Sequence, residues 1–519
     1  MNTVKSILLV SCYELGHQPA GIAMPLAFLQ RAGYSVETMD VSVEGFDADK
    51  VRRARFVGIS VPMHTALRLG LRVAEEIRKL NPRCHMCFYG LYASLNAEYL
   101  LATVADAVIG GEFEEALVEL IKRVQGQTEV TRNQAKAQRS DSKPVRERLN
   151  PPVLERLNSP VLGRLNSPVL ERLNIPVLEK LDPPVLERLN SPVLGRLNSP
   201  VLERLNFPVP DRSSLVPLER YARLEYNGEQ RLVGYVEASR GCLHQCTHCP
   251  IPPVYDGRFF VVPQEVVLED IRRLVASGAR HITFGDPDFL NGPGHSIRIA
   301  RAMHEEFPDL TFDFTAKIEH ILKYRELIPE LAQSGCVFAV SAVESLSDTV
   351  LEHLEKGHTR DDVSEALRIL RDAGISMRPS LVPFTPWATV DDYIDILEFV
   401  ESEGLIDHVD PVQYSIRLLI PPGSLLLSQP DSHRWLGRLV QESFTYEWTH
   451  PDSRMDELHK QVSAVVEQAA NTNEDAAETF YKIRESAYAS RGDEPPVGGA
   501  LPIVLTRLRP PRLTEAWFC

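Results

Sequence analysis

GCLHQCTHCP, residues Gly241–Pro250, sets Cys242, Cys246 and Cys249 apart by three residues and then by two. The whole chain has 519 residues and 8 Cys. No apolar run long enough for a secretory leader precedes the cluster, so we expect metal or redox chemistry rather than a disulfide framework. Three thiolates on one loop supply three corners of a metal site, and two readings stand at this point. A closed zinc site would take His244 or His248 as its fourth ligand. An iron–sulfur cluster on three thiolates would keep one iron open. The spacing differs from the paired C-x-x-C of common zinc modules, and the other C-x-x-C of the chain, Cys84 to Cys87, falls in a strand-like run.

The stretch before the loop, LVGYVEASRG, reads as a strand. PQEVVLEDIRRLVASG follows as a helix, with Pro263 at its start and Gly278 at its end. HITFGDP, LTFDFTAK, VFAVSAVES, ISMRPSLVPF and PVQYSIRLLI read as further strands. HSIRIARAMHEEF, EHILKYRELIPELAQSG, VSEALRILRDAG and VDDYIDILEFVESEG read as helices between them. Six strand–helix units imply an incomplete parallel barrel, with functional loops at the carboxyl ends of its strands.

C-x-x-x-C-x-x-C after the first strand of such a barrel resembles the radical S-adenosylmethionine (SAM) enzymes, over about 226–422. The resemblance implies that Cys242, Cys246 and Cys249 hold a [4Fe–4S] cluster whose open iron takes the amino and carboxylate groups of SAM. Reductive cleavage of SAM would then give a 5′-deoxyadenosyl radical that abstracts hydrogen from a small-molecule or peptide substrate. It also implies a flavodoxin- or ferredoxin-like electron donor. The residue before the third Cys is often aromatic in that family and is His248 here. FGDPD stands where a Gly-Gly-Glu-like turn meets SAM, which makes Gly285 and Asp286 candidates. SAVES resembles the family's G-V-E-S and points to Glu344. Arg378 and Arg417, on the fifth and sixth strands, are candidates to hold a carboxylate in a bidentate contact. Lys317, Asp313 and Cys336 are weaker candidates, with a buried apolar role the default for Cys336.

Upstream, ILLVS, SVETMDVS, FVGISVP, CHMCFYG and DAVIGG read as strands alternating with helices such as AGIAMPLAFLQRAGY. That pattern predicts a doubly wound parallel sheet with ligands beyond its carboxyl edge. A domain of this kind before a radical SAM barrel resembles a cobalamin-binding architecture. The cobalt-ligating D-x-H-x-x-G signature is missing, and His17 is expected to be a surface loop residue. The domain then either binds cobalamin or serves as a scaffold. The reaction would be methylation through cobalamin or another radical modification. Methylthiotransferases are the nearest functional cousins. Their second cluster would need Cys12, Cys84 and Cys87, and two of these fall in one strand.

The fold class is therefore α/β: an N-terminal B12-binding-like sheet over 1–125, a linker over 126–215, a partial (β/α)6 barrel over 226–422 and a helical C-terminal extension with an extended tail over 423–519. Near-identical octapeptides such as PVLERLNS recur over about 144–209 and read as a spacer, because a proline in every unit prevents a continuous helix. The last residues, LTEAWFC, resemble a radical SAM family whose tail continues Cys–selenocysteine–Ala–Glu–Pro or Cys–Cys–Ala–Glu–Pro, so a selenocysteine codon is expected after Cys519. Lys and Arg total 56 against 71 Asp and Glu, a net charge of -15, which argues against a nucleic-acid partner. No apolar run reaches membrane-spanning length, and a cytoplasmic location is expected. The non-enzymatic alternative is a zinc-stabilised binding or scaffold protein that uses the repeat as its arm.

Overall fold

SILLVS forms the first strand because Ile7 and Leu9 are buried on one side of it and Leu8 and Val10 on the other, the mark of a parallel strand covered on both faces. The computed structural model describes residues 6–126, the backbone of 177–179, 206–496 and 509–515. Strands β1 (Ser6–Ser11), β2 (Val36–Asp40), β3 (Ala54–Ser60), β4 (His85–Tyr89) and β5 (Ala107–Ile109) pair in parallel in the order β2-β1-β3-β4-β5. The backbone of β6 (Val177–Glu179) adds antiparallel to β5. The other repeat units and residues 516–519 lie outside the described residues. Helix Ala20–Arg31 covers one face and stops where Gly33 takes a left-handed φ of 84°.

The second sheet runs β14-β13-β12-β11-β8-β7-β17. Its parallel part is β8 (Glu229–Val236), β11 (His281–Phe284), β12 (Thr311–Ala316), β13 (Cys336–Glu344) and β14 (Ser376–Leu381). A short antiparallel pair, β9 (Ser239–Gly241) with β10 (Phe259–Val261), flanks the cysteine loop. The expected sixth strand is reduced to a 3-10 turn, Pro411–Ser415, and one parallel bridge between Phe384 and Arg417. Pro411 opens that turn, and the Gln413 side chain accepts from the Leu381 amide, taking the place of a backbone neighbour. The predicted helix over EHILKYRELIPELAQSG is also broken, into Ile318–Lys323, a 3-10 turn and Ile328–Gln333 with Pro329 in its first turn.

A large apolar core packs the helices on the outside of this sheet. Inside the curl, Leu224, Val233, Phe338 and Val340 form a small cluster with Leu513 against it. Leu513 arrives on β17 (Arg512–Leu513), which pairs antiparallel with β7 (Arg223–Tyr226). The C-terminal tail thus extends the edge of the sheet, and Glu515 beyond it accepts from Tyr13 of the first domain at 3.2 Å.

Several attachments hold the two sheets together. Arg212 pairs with Asp270 at 2.9 Å and reaches Gln18 at 3.1 Å, so the end of the segment read as linker is packed. Tyr221 donates to Asp40 at 2.8 Å. The hairpin of β15 (Leu436–Val440) and β16 (Thr445–Trp448) turns through Phe444, which is buried in the core of the first domain. Among the described residues, no helix is long and apolar enough to cross a membrane.

Candidate functional site

The cysteine loop leaves the sheet at Gly241, whose φ of 73° and tight packing exclude a side chain: a Cβ there would stand 2.3 Å from the Arg258 carbonyl. The middle of the loop is pinned from two sides. Thr247 donates its amide to Leu354 O at 3.2 Å and its hydroxyl to His353 O at 2.8 Å, and Ser424 donates to Thr247 O at 3.3 Å. The three thiols share this one short loop, and charge on one is felt by another. Burial pushes the Cys249 thiol up to about 12, and Cys246 and Cys242 push it the same way. Burial also raises Cys242, with Cys246 adding to it. Metal loading therefore has to release protons from this loop.

Of the loop's two histidines, His244 is taken up by its neighbours, while His248 keeps one ring nitrogen, Nδ1, without a hydrogen-bond partner. His244 accepts from Lys317 Nζ at 3.0 Å and contacts His320 Nε2 at 3.1 Å; His320 Nδ1 contacts Asp288 at 2.8 Å. One tautomer set satisfies this whole chain, with protons running from Lys317 through His244 and His320 to Asp288. His244, Asp288 and His320 gather within 4.8 Å, yet each is already used by its neighbours. His248 Nε2 faces Glu344 at 3.6 Å. Among the described residues, the donors that gather within 4.8 Å are His244, Asp288 and His320, so the loop cysteines and His248 are not drawn together as a closed zinc site.

Glu344 ends β13 beside a bulge, with a left-handed φ of 61°, a conformation that costs a non-glycine residue and marks functional sites. Lys356 Nζ lies 3.0 Å from its Oε1, and both are buried. Burial opposes the charge on Glu344, but Lys356 and His248 outweigh it and hold the carboxyl well below the usual carboxylate range. His248 Nδ1 and His358 Nδ1 are buried without a hydrogen-bond partner. The surroundings of Glu344 thus hold two ring nitrogens without partners and a buried lysine that feels the second and third cysteines.

The other predicted residues are distributed differently. Asp286 is buried and spends its carboxylate on the Ser239 hydroxyl and the Ala238 amide, so it anchors the start of the cysteine loop. Burial raises it to about 7, against those bonds. Gly285 is obligatory because a Cβ would meet the Tyr235 ring at 2.0 Å. Arg378 pairs with Asp410 at 2.9 Å and donates to Pro511 O; Arg417 pairs with Asp456 at 2.8 Å and lies 3.6 Å over the Trp448 ring. Both guanidinium groups are committed to protein partners, so the structure does not bring them together with the cysteine loop. Asp313 is held inside the barrel by His281 at 2.8 Å and Thr283 at 2.7 Å. Cys336 is buried.

The carboxyl edges of the two sheets face each other across a cavity of about 220 Å³. Glu14, Gly21, Ser60 and Gly90 line it from the first domain; Tyr235, Glu237, Arg240 and Tyr255 line it from the barrel. Gly21 and Gly90 keep it open. A Cβ on Gly21 would fall 2.3 Å from Ser60 Oγ, and Gly90 has a φ of 107°. Glu14 Oε1 is enclosed without a partner, and burial raises that carboxyl to about 8. Arg240, two residues before Cys242, crosses the boundary to Glu112 at 3.2 Å and Glu114 at 2.6 Å while holding Glu237 at 2.9 Å. His17 is buried rather than exposed, with its ring 4.8 Å from Tyr235. Cys87 and the pair Cys12 and Cys84 belong to the cores on opposite faces of the first sheet, so they do not assemble a second cluster site.

Sequence reasoning missed Lys356, Asn291, Asp288, His320 and Glu14. A lysine just past a helix reads as solvated by default. Glu14 and Asp288 lie in loops, Asn291 in a 3-10 turn and His320 in a short helix, and the contacts that mark them reach side chains distant in sequence.

Residues 236–400 match the radical SAM superfamily and residues 7–121 match the B12-binding domain. Among curated proteins, the chain is similar to a putative methylthiotransferase of Methanocaldococcus jannaschii, 24% identical over 229 residues, or 40% of this chain and 48% of that protein. It is also similar to the ribosomal protein uS12 methylthiotransferase RimO of Geobacter sulfurreducens, 28% identical over 199 residues, or 36% and 44%. The chain spans less than half the length of these relatives. Among solved structures, the cobalamin-dependent SAM radical enzyme OxsB with aqua-cobalamin bound superposes with a TM-score of 0.63 at 14% identity, covering 94% of this chain and 72% of that one. The radical SAM methyltransferase TsrM of Kitasatospora setae, with cobalamin and a [4Fe–4S] cluster bound, gives 0.54 at 16% identity, covering 78% and 74%. At these identities the two structures speak for the fold.

Proposed function

We propose that this chain, a radical SAM enzyme with a B12-binding domain in front of the barrel, is a cobalamin-dependent enzyme that modifies its substrate between the two facing sheets. The observation that carries the reading is three thiols on one pinned loop, with no fourth protein donor gathered beside them among the described residues. That leaves room for a centre one protein ligand short. A [4Fe–4S] cluster with SAM, and cobalamin on the front domain, supply one-electron cleavage and methyl-group chemistry there.

This chain's residues have separate tasks in that reading. Cys242, Cys246 and Cys249 hold the cluster. Lys356 neutralises thiolate charge and, with Glu344, His248 and His358, offers the polar contacts a bound SAM needs. Gly285 and Asp286 fix the turn beside the loop. Gly21, Ser60, Gly90 and Glu14 make the cradle on the front domain. Arg240 ties that domain to the cysteine loop. The relatives' names favour methyl or methylthio transfer. The two faces of the first sheet keep its cysteines apart, which favours methylation or another cobalamin-linked radical modification.

A small-molecule or peptide substrate and a flavodoxin- or ferredoxin-like donor belong to the same proposal. So does reading Leu513–Cys519 as the start of a Cys–selenocysteine or Cys–Cys tail, which the codon after Cys519 tests. The decisive experiment is anaerobic purification with cluster reconstitution. About four irons per chain, release of 5′-deoxyadenosine from SAM and retention of added cobalamin are expected. About one zinc per chain and no iron would overturn the reading.

A further inference from the structure

We propose that Asn291 is the side-chain hydrogen-bond donor that sets the reduction potential of the iron centre, acting through Cys242; the inference rests on the cluster reading above. Asn291 closes the 3-10 turn Phe289–Asn291 after β11 and is 7% exposed. Its Nδ2 lies 3.5 Å from Cys242 Sγ, and its Oδ1 lies 3.9 Å away. A thiol can donate to the amide oxygen as well as accept from the amide nitrogen. A thiolate bound to iron has no proton to give, so loading the site leaves one arrangement, Nδ2–H donating to sulfur.

The turn is built to hold that amide still. Asp288 Oδ1 accepts from Leu290 N at 2.9 Å, and its Oδ2 accepts from Lys317 N at 3.1 Å and faces His320 Nδ1 at 2.8 Å. The Asn291 backbone N–H donates to Asp288 O at 3.1 Å. Phe289 is buried and stacks on Phe284 at 4.5 Å. His320 in turn contacts His244 on the cysteine loop. Donor and acceptor are therefore fastened to the same anchor, Asp288, from both sides.

The arrangement is asymmetric. The Cys249 thiol is helped by a backbone N–H from Ile251, and Cys242 by the backbone N–H of His244. Among the described residues, only Cys242 has a side-chain amide donor. An N–H aimed at a ligating sulfur draws charge from it and stabilises the more negative, reduced centre more than the oxidised one. Asn291 therefore raises the potential, which makes the centre easier for its donor to reduce. It is a positioning residue, since it reaches the iron only through Cys242.

The test uses the full chain, reconstituted anaerobically, with the midpoint read by paramagnetic resonance during redox titration. N291L is expected to shift the midpoint to a more negative potential at unchanged iron content, and N291D further still, because a carboxylate replaces the donor. Unchanged midpoints in both variants at full iron content overturn the inference. Should N291L load poorly, wild-type protein carrying 15N-asparagine decides: a coupling from one asparagine side-chain nitrogen to the reduced centre supports the inference, and its absence overturns it. Wild-type protein that binds no iron defeats the cluster reading instead, so the two failures are distinguishable.

Discussion

Lys356 Nζ lies 3.0 Å from Glu344 Oε1 with both side chains withdrawn from solvent, and Cys246 and Cys249 are among the groups that keep the lysine charged. The pair therefore does two jobs. It cancels a carboxylate buried in strained backbone, and it sets a positive charge beside two of the three loop cysteines. K356M is expected to cost about 3–5 kcal/mol, because it strands a buried carboxylate. E344Q/K356M should recover most of that loss in chemical denaturation while SAM affinity, measured by equilibrium dialysis on reconstituted protein, stays low. Recovery of both would reduce the pair to a structural salt bridge.

Arg240 is the hinge pin between the domains. It is buried, it answers three carboxylates, and burial raises Glu112 to about 7 with Glu114 adding to it. R240M leaves those acids without their cation and should cost about 3–5 kcal/mol. It should also loosen the front domain, read as faster limited proteolysis between the two domains. E112Q/R240M should be more stable than R240M alone, because one of the stranded charges is gone.

Glu14 gives the chain a pH-dependent weakness at the mouth of the cavity. Burial raises its carboxyl from 4.5 to about 8. A folded-state value above the unfolded one means the native chain holds the proton more tightly. The contribution is complete below the unfolded value and is lost as pH rises through about 8. E14Q lacks this loss. Its stability relative to wild type should grow by at least about 1 kcal/mol between pH ~5 and ~8, measured by thermal unfolding of the metal-free chain. A constant difference across that range would show that the carboxyl is solvated.

The residues of the candidate site differ in how far the sequence marks them, and the reasons differ residue by residue. Cys242, Cys246 and Cys249 were visible because their spacing and thiol chemistry are local. Glu344 was visible because a carboxylate among apolar strand residues has to find a partner. Its partner, Lys356, was not, since nothing in the sequence near it marks it as buried. Arg378 and Arg417 misled for the complementary reason: an arginine on a strand gives no sign of which carboxylate it will meet, and Asp410 and Asp456 took them. The parallel strands were readable from their apolar runs. PVQYSIRLLI had the same look, yet Pro411 and the Gln413 side chain gave a turn and a single bridge. His17 was misjudged because burial of a loop residue depends on Tyr235, more than two hundred positions away.

The front-domain cradle can be tested without touching the barrel. Gly21 opens a helix under the cavity, and its missing side chain is the space between Ser60 and Glu14: a Cβ would stand 2.3 Å from Ser60 Oγ and 2.6 Å from Glu14 Oε1. G21A therefore has to push both side chains toward the cavity. Gly90 lies across the cavity floor with a φ of 107°, and a Cβ there would come 3.2 Å from the Val61 carbonyl, so G90A adds backbone strain to the same loss of room. Each variant is expected to weaken cobalamin retention at least about tenfold, or about 1.4 kcal/mol, read from the visible spectrum after gel filtration. Iron content per chain should not change, because the cysteine loop is anchored by Asp286 and Thr247 within the barrel. Full cobalamin retention in both variants would place the cofactor elsewhere or leave the front domain a scaffold. Joint loss of iron and cobalamin would instead show that the two domains fold as one unit.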